Sequence, residues 1–495
     1  MKPLVVLWTT ALAVAAVGTW VLFDGAWGVN AAVWTVTACA CLLLCAARGG
    51  RISSALVVTL TLAMLLAGGT AVTADAAFHS WIVVALIILL AVATLVAQAG
   101  RADRVDAMFM ARAPLVAAGR SLAEVGRRVP EVADRLSAER SRPWVRGAII
   151  ALPILVLFGL LLADADPVFA TLRRSLRETL EGWDFVPRLV FFSTLLAAAL
   201  GAGGLALRGA ASDAAAKPLR PSEQHLGLTE RLIILVAVAA LFAIFLALQL
   251  SYLFGNAPAV TGSGITFAEY ARCGFNELTI VATLCTLLVI ALDGSVEGGR
   301  SERAVRLVAL ALVGETLLLL ISAFRRVWLY EAAYGFTTTR LYAQTYMVLM
   351  ASILLMLAWE VRRGLDSRRL TRRSAGLAAL AFATLIYWNH EAWIVRLNAE
   401  RATRTGTLDT AYLVQSLSLN ALPALVVAQS STPETVALPL RQALNGRYGT
   451  AHVRSCRWFE TNVRHTQAVR ALETAGLGAD TRPARDGCLR LEAKP

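Results

Sequence analysis

Eleven runs of about twenty mostly apolar residues, each closed by charged or turn-forming residues, constrain this chain more than any other feature of its sequence. A helix of ~20 apolar residues spans the hydrocarbon core of a bilayer. The runs cover 4–23, 29–47, 52–72, 78–98, 147–163, 188–207, 232–253, 274–292, 304–324, 341–360 and 374–390. They are continuously apolar and lack the period-two alternation of a membrane barrel strand, so they predict helices. The first run is longer than the 7–15 apolar residues of a signal peptide and ends without a small-residue cleavage site, so it counts as a span. Composition agrees: 57% of residues are hydrophobic and 16% charged, with a mean hydropathy of +0.62. Soluble domains average about 45–50% apolar and ~25% charged, so a soluble enzyme and a disordered chain are both excluded.

Lys and Arg set the expected orientation. With the N-terminus inside, the inward connections hold 26 of the 47 basic residues, the outward short loops eight, and the segment after residue 391 the remaining 13. The positive-inside rule then predicts N-in, C-out. The net charge of +13 is accordingly a topology signal and an attraction to an anionic inner leaflet, and predicts no nucleic-acid partner. The expected fold is all-α: a polytopic transmembrane bundle of about eleven spans with a small extracytoplasmic helical C-terminal domain. Four regions follow: a four-span segment over 1–98, a basic cytoplasmic loop over 99–146, a seven-span membrane domain over 147–395 and the tail over 396–495.

Within the inner loop, Leu115, Ala118, Leu122, Val125, Val129, Val132 and Leu136 recur at spacings of three and four, with Arg120, Glu124, Arg127, Arg128 and Arg135 between them. This predicts a one-sided apolar stripe on a helix interrupted at Pro130. Such a helix lies on the lipid surface, packs under the bundle, or recruits a partner through a heptad seam. In the tail, apolar clusters predict four or five short helices. One starts with Thr432 as N-cap, Pro433 in the first position and Glu434 in the first turn, and stops at Asn445-Gly446. Cys456 and Cys488 are the tail's two cysteines; a bridge between them and two free thiols are both open.

Candidate chemistry is sparse. His390-Glu391 begins like a zinc-protease helix, but position 394 is Ile where the second histidine would stand. The five histidines show no metal spacing, so neither a metal nor a cofactor is expected, and no catalytic residue is assigned. Intramembrane charge is more informative, because an ionisable group at that depth is costly enough to imply function. Glu315 lies near the middle of the ninth run, with Ser322 and Arg326 on its face. Arg272, Asn276, Thr279 and Thr283 share a face of the eighth, beside Glu277, and Arg340 and Gln344 share one at the start of the tenth. Interhelical hydrogen bonding that glues the bundle explains such stripes. An outward-open cavity, with Glu277 and Glu315 paired to Arg272, Arg326 or Arg340, explains them too.

The strings EYARCGFNEL (269–278), YEAAYGFTTTRLYAQTYM (330–347), NHEAWIVRLNAERA (389–402), ADADPVFA (163–170) and LDTAYLVQSLSLNALPAL (408–425) resemble a bacterial family of polytopic membrane proteins catalogued only as a domain of unknown function. The resemblance covers roughly residues 145–425. The family's third string reads closer to Asn-Pro-Asp-Ala, so His390 and Glu391 depart from it, which argues against a metal or acid role for His390. The resemblance implies a multi-pass bacterial plasma-membrane protein and names no substrate. By the expected topology these strings gather at the outer surface with an aromatic belt of Trp328, Tyr330, Tyr334, Trp388 and Trp393. The expected ligand-binding set is Glu269, Arg272, Asn276, Glu277, Glu315, Arg326, Glu331 and Arg340. The function expected is a sensor, scaffold or envelope-maintenance protein whose outer face binds a lipid, a cell-envelope ligand or a membrane protein, beside the bilayer itself. A transferase acting on a lipid-linked substrate and a transporter are the alternatives. The first lacks a substantial outer loop, since only residues 24–28 stand there, and the second lacks a visible inverted repeat.

Overall fold

A computed structural model describes residues 3–50, 52–99, 107–136, 185–208, 228–253, 275–292, 300–477 and 488–492. Its helices are α1 (Pro3–Leu22), α2 (Val29–Arg48), α3 (Ser54–Gly68), α4 (Ala76–Ala99), α5 (Ala107–Leu136), α6 (Phe185–Arg208), α7 (Leu228–Leu253), α8 (Phe275–Leu292), α9 (Arg300–Tyr334), α10 (Thr338–Arg363), α11 (Ser367–Tyr387), α12 (His390–Thr405), α13 (Leu422–Ser431), α14 (Glu434–Tyr448) and α15 (Val463–Ala475). Among the described residues one two-stranded sheet, β1 (His452–Cys456) with β2 (Cys488–Glu492), interrupts the helical architecture and corrects the expectation of a purely helical tail.

Seven described helical stretches are long and apolar enough to cross a membrane: α1, α2, α3 with the 3-10 turn that extends it to Ala71, α4, α6, α9 and α10. The molecule is a multi-pass helical membrane protein. The apolar stretches of α7 and α8, Arg231–Ile244 and Val281–Ile290, are shorter. Helix α11 carries Arg368, Arg369, Arg372 and Arg373 in its first two turns, and the expected span at 147–163 lies outside the described residues.

The chain divides into two compact units. The first comprises Met1–Ala216 with Val453–Thr466 and Arg482–Arg490; the second comprises Lys217–His452 with Gln467–Thr481 and Leu491–Pro495. In the first unit α6 packs against α1, α2, α4 and α5, and α3 against α2 and α4; Leu7, Ala11, Leu56, Leu60 and Ile82 are buried. Cys39, Cys41 and Cys45 are buried there and not disulfide-bonded; Thr10 Oγ1 lies 3.2 Å from the Cys41 sulfur, and ordinary packing accounts for all three. In the second unit α7, α8, α9 and α10 enclose a core that includes Leu235, Ala282, Cys285, Leu312, Leu320, Met347, Leu354 and Leu357.

Local chemistry sets several helix ends. Ser53 Oγ accepts from the Leu56 amide at 3.2 Å and starts α3. Asp366 accepts from the Arg368 and Arg369 amides, each at 3.1 Å, and starts α11. The turn before α11 is stapled by Glu360, 1% exposed, which accepts from Arg369 Nε and Arg373 Nη1, both at 3.0 Å. Two arginines read as a topology signal therefore also neutralise a buried carboxylate.

Three further expectations are corrected. Helix α14 begins one residue later than predicted, with Pro433 at its N-cap, while Thr432 Oγ1 donates back to Ala428 O at 2.8 Å and closes α13. It runs past Gly446 to Tyr448, because Leu444 and Tyr448, both buried, hold the last turn against the core. Helix α5 runs on through Pro130 to Leu136.

Candidate functional site

In the first unit, residues 457–462 dock on the loops joining α1 to α2 and α3 to α4. Glu460 accepts from the Ala26 amide at 3.3 Å, from the Arg457 amide at 2.9 Å and from Arg457 Nη2 at 2.8 Å. Arg457 Nη2 also donates to Asp24 O at 3.1 Å, and the Val29 amide to Thr461 O at 3.1 Å. Asn462 Nδ2 donates to Thr70 O at 2.9 Å and Thr73 O at 2.7 Å. Trp20 packs edge-on against Phe459, 5.4 Å between ring centroids. A Cβ on Gly28 would stand 2.5 Å from the Glu460 carbonyl, so the close approach of the two backbones requires glycine there. Burial pushes the Glu460 carboxyl up, but the hydrogen bonds from Arg457 and Ala26 outweigh it and hold it below the usual range. The helix ends opposite this dock carry Arg48 and Arg208.

In the second unit the corresponding cluster forms where α9 ends, α10 begins and α12 passes. Glu331, 2% exposed, accepts from Gln344 Nε2 at 2.6 Å. The Arg340 guanidinium lies within electrostatic range of that carboxylate, stacks 4.2 Å from the Tyr330 ring centroid and donates to Gly335 O. Tyr330 and Tyr334 are 4.8 Å apart at the rim. Asn398 holds the turn between α9 and α10, accepting from the Phe336 amide at 3.0 Å and donating to Phe336 O at 2.8 Å. The opposite ends of α10 and α11 carry Arg362, Arg363, Arg368 and Arg369.

Of the predicted ligand set, Glu331 and Arg340 are brought together. Glu315 sits in mid-α9 beside Cys285, to which the neighbouring Thr316 donates at 3.0 Å. Its Oε2 is buried and has no hydrogen-bond partner among the described residues. Arg326 lies eleven residues further along the same helix, a rise of about 16 Å, which is too far for a direct pair. Asn276 and Glu277 lie in the first turn of α8. Glu269 and Arg272 lie outside the described residues.

Sequence reasoning missed the role of the 389–391 string. His390, 3% exposed, bonds Tyr342 Oη through Nε2 at 3.0 Å and Leu385 O through Nδ1 at 3.1 Å. Glu391, 2% exposed, accepts from Ser418 Oγ at 2.5 Å and the Ser418 amide at 3.2 Å. Asn389 donates to Asn420 O at 2.9 Å. Together they latch the segment before α13 onto the start of α12. The available signal was Asn-x-x-Ala at a helix start with Glu in its first turn, the residues that satisfy helix N-terminal amides. Below the latch, burial, opposed by Arg447 and reinforced by Glu391, pushes the Tyr448 phenol up. Among the described residues no group of three or more His, Cys, Asp or Glu is arranged to hold a metal ion.

Helices long and apolar enough to cross a bilayer, joined within each unit by buried carboxylates and hydrogen-bonded latches, define a polytopic membrane protein. The chain belongs to the family described as Domain of unknown function (DUF4153), whose model matches residues 60–428. The match begins within α3, well before the region that the sequence strings cover. No curated protein and no solved structure matches the chain.

Proposed function

We propose that this protein sits in a bacterial plasma membrane with about eleven spans, N-terminus inside and tail outside. There it acts as a sensor, scaffold or envelope-maintenance protein that binds a lipid, a cell-envelope ligand or a membrane protein at its outer face. Orientation is supported by the excess of arginine at the helix ends away from the tail segments, Arg48 and Arg208 in the first unit and Arg362, Arg363, Arg368 and Arg369 in the second, over Arg188 and Arg340 at the covered ends. The disulfide-bonded state of Cys456 fits an oxidising compartment.

The observation that carries the ligand reading is the Glu331 carboxylate, enclosed at the end of a candidate span with Gln344 and Arg340 beside it and an aromatic rim around it. A charge so placed costs stability unless it is used. The test is complementation of a deletion strain with Glu331→Gln and Arg340→Ala. Both variants are expected to accumulate in the membrane at wild-type levels and to leave the envelope defect of the deletion uncorrected. Full complementation by both would remove the ligand reading. Build-up of one defined lipid-linked precursor in the deletion strain would point instead to a transferase.

A further inference from the structure

Helix α5 packs on the wrong face for a helix whose apolar stripe supplies its core contacts. Ala113, Ala117 and Glu124 are buried against α4 and α6, while Leu115, Val116 and Leu122 are 79%, 38% and 54% exposed. Around the helix Leu115 and Leu122 stand about 170° from the centre of the buried face. The buried face is held by polar anchors. Arg208 of α6 donates to Glu124 at 2.9 Å, and Arg120 donates to Gln98 of α4 at 2.9 Å. Ser121 abuts Gly201, where an added Cβ would meet it at 2.5 Å. The stripe is thus held away from its own bundle by specific contacts.

The anchors also give its depth. Gln98 is the penultimate residue of α4 and Arg208 the last of α6, and both helices are long and apolar enough to cross the membrane. Arg120 and Glu124 thus reach the last residues of those spans, while Ser121 meets Gly201 seven residues, about 10 Å, before the end of α6, so the stripe opens sideways along the last turns of the spans. Arg112 is exposed beside it. From Ala107 to Leu136 the sequence carries five arginines against three acids. An apolar stripe with an exposed arginine beside it, near the ends of helices that cross the membrane, matches a surface of acyl chains bordered by phosphates.

We propose that the Leu115–Leu122 face of α5 is a binding surface for anionic phospholipid, with the leucines seated among acyl chains and Arg112 engaging headgroup phosphates. This surface is distinct from the ligand reading at Glu331 and stands or falls separately from it.

The experiment places the photoreactive residue benzoylphenylalanine at Leu115, Leu122 or Gly119 of the full chain. Gly119 borders the stripe and has open space around it, so the label is tolerated there even where a leucine replacement is not. Illumination is carried out in native membranes and in vesicles of phosphatidylcholine with and without phosphatidylglycerol. Phospholipid adducts are expected at each position, with phosphatidylglycerol enriched over its share in the mixed vesicles. Arg112→Gln is expected to reduce that enrichment about fivefold, the effect of one basic residue at an anionic surface. A discrete protein adduct in native membranes would assign the stripe to a partner and overturn the proposal. So would lipid adducts without preference for phosphatidylglycerol, or no adduct at all.

Discussion

Single carboxylates do much of the positioning in this molecule, and their surroundings say at which pH they do it. Glu460 is held below its ordinary value by Arg457 and Ala26 despite the opposing effect of burial. Its contribution is therefore complete above the usual carboxylate range of about 4 and is lost as pH falls through the lowered folded value. Glu460→Gln keeps the shape and removes the charge. It is expected to cost about 1–3 kcal/mol at neutral pH, read as faster amide exchange in residues 24–28, with the difference from wild type vanishing in acid. Asp366 is lowered first by the Arg369 amide; burial opposes this, and the Arg369 charge, the Arg368 amide and the Arg372 charge add to the lowering. Its contribution has the same sign and the same low-pH window. Because Asp366 is exposed, Asp366→Ala is expected to cost only about 0.5–1 kcal/mol, measured as a lower midpoint of thermal unfolding in detergent.

At the scale of elements, small residues decide which helices meet. A Cβ on Gly201 of α6 would stand 2.5 Å from Ser121 Cβ, 2.7 Å from its carbonyl oxygen and 2.8 Å from its Cα. Backbone cannot yield as a side-chain tip can, so Gly201→Ala is expected to destabilise the α5–α6 contact by about 1–3 kcal/mol. Gly119→Ala on α5 meets nothing within 4 Å and is expected to be neutral or stabilising, by up to ~1 kcal/mol of helix propensity. Thermal unfolding of the two variants side by side checks the contrast. The three-and-four periodicity of α5 did reveal a helix with a stripe. It did not reveal that the stripe would face away from the bundle, because periodicity reports which residues share a face and is silent on what covers it. The same limit applies to α14: Gly446 is a sound local stop signal, overridden by the burial of Tyr448 two residues later.

For the whole molecule, the expected topology makes a prediction with two arms. Ser430→Cys in the tail is expected to react with a membrane-impermeant thiol reagent in intact cells, and Ser367→Cys at the start of α11 only after permeabilisation. Both positions are exposed, so equal labelling would count against N-in, C-out. Under non-reducing conditions mass spectrometry is expected to recover Cys456 linked to Cys488, the first residue of the strand that β1 pairs with. The helices, the membrane environment and the placing of arginine at alternate helix ends were legible in the sequence alone. Each depends on quantities summed along a local stretch: transfer of apolar side chains, capping groups and loop charge. Half of what the site contains was legible as well, since Glu331 and Arg340 stand nine residues apart and share a turn. The remainder was decided by tertiary structure. The bond from Ala26 to Glu460 joins residues 434 apart, and the partners of Glu331, His390, Glu391 and Glu124 lie on other helices or loops. A polar side chain announces in sequence that it needs a partner, and only the packing of helices determines which one it gets.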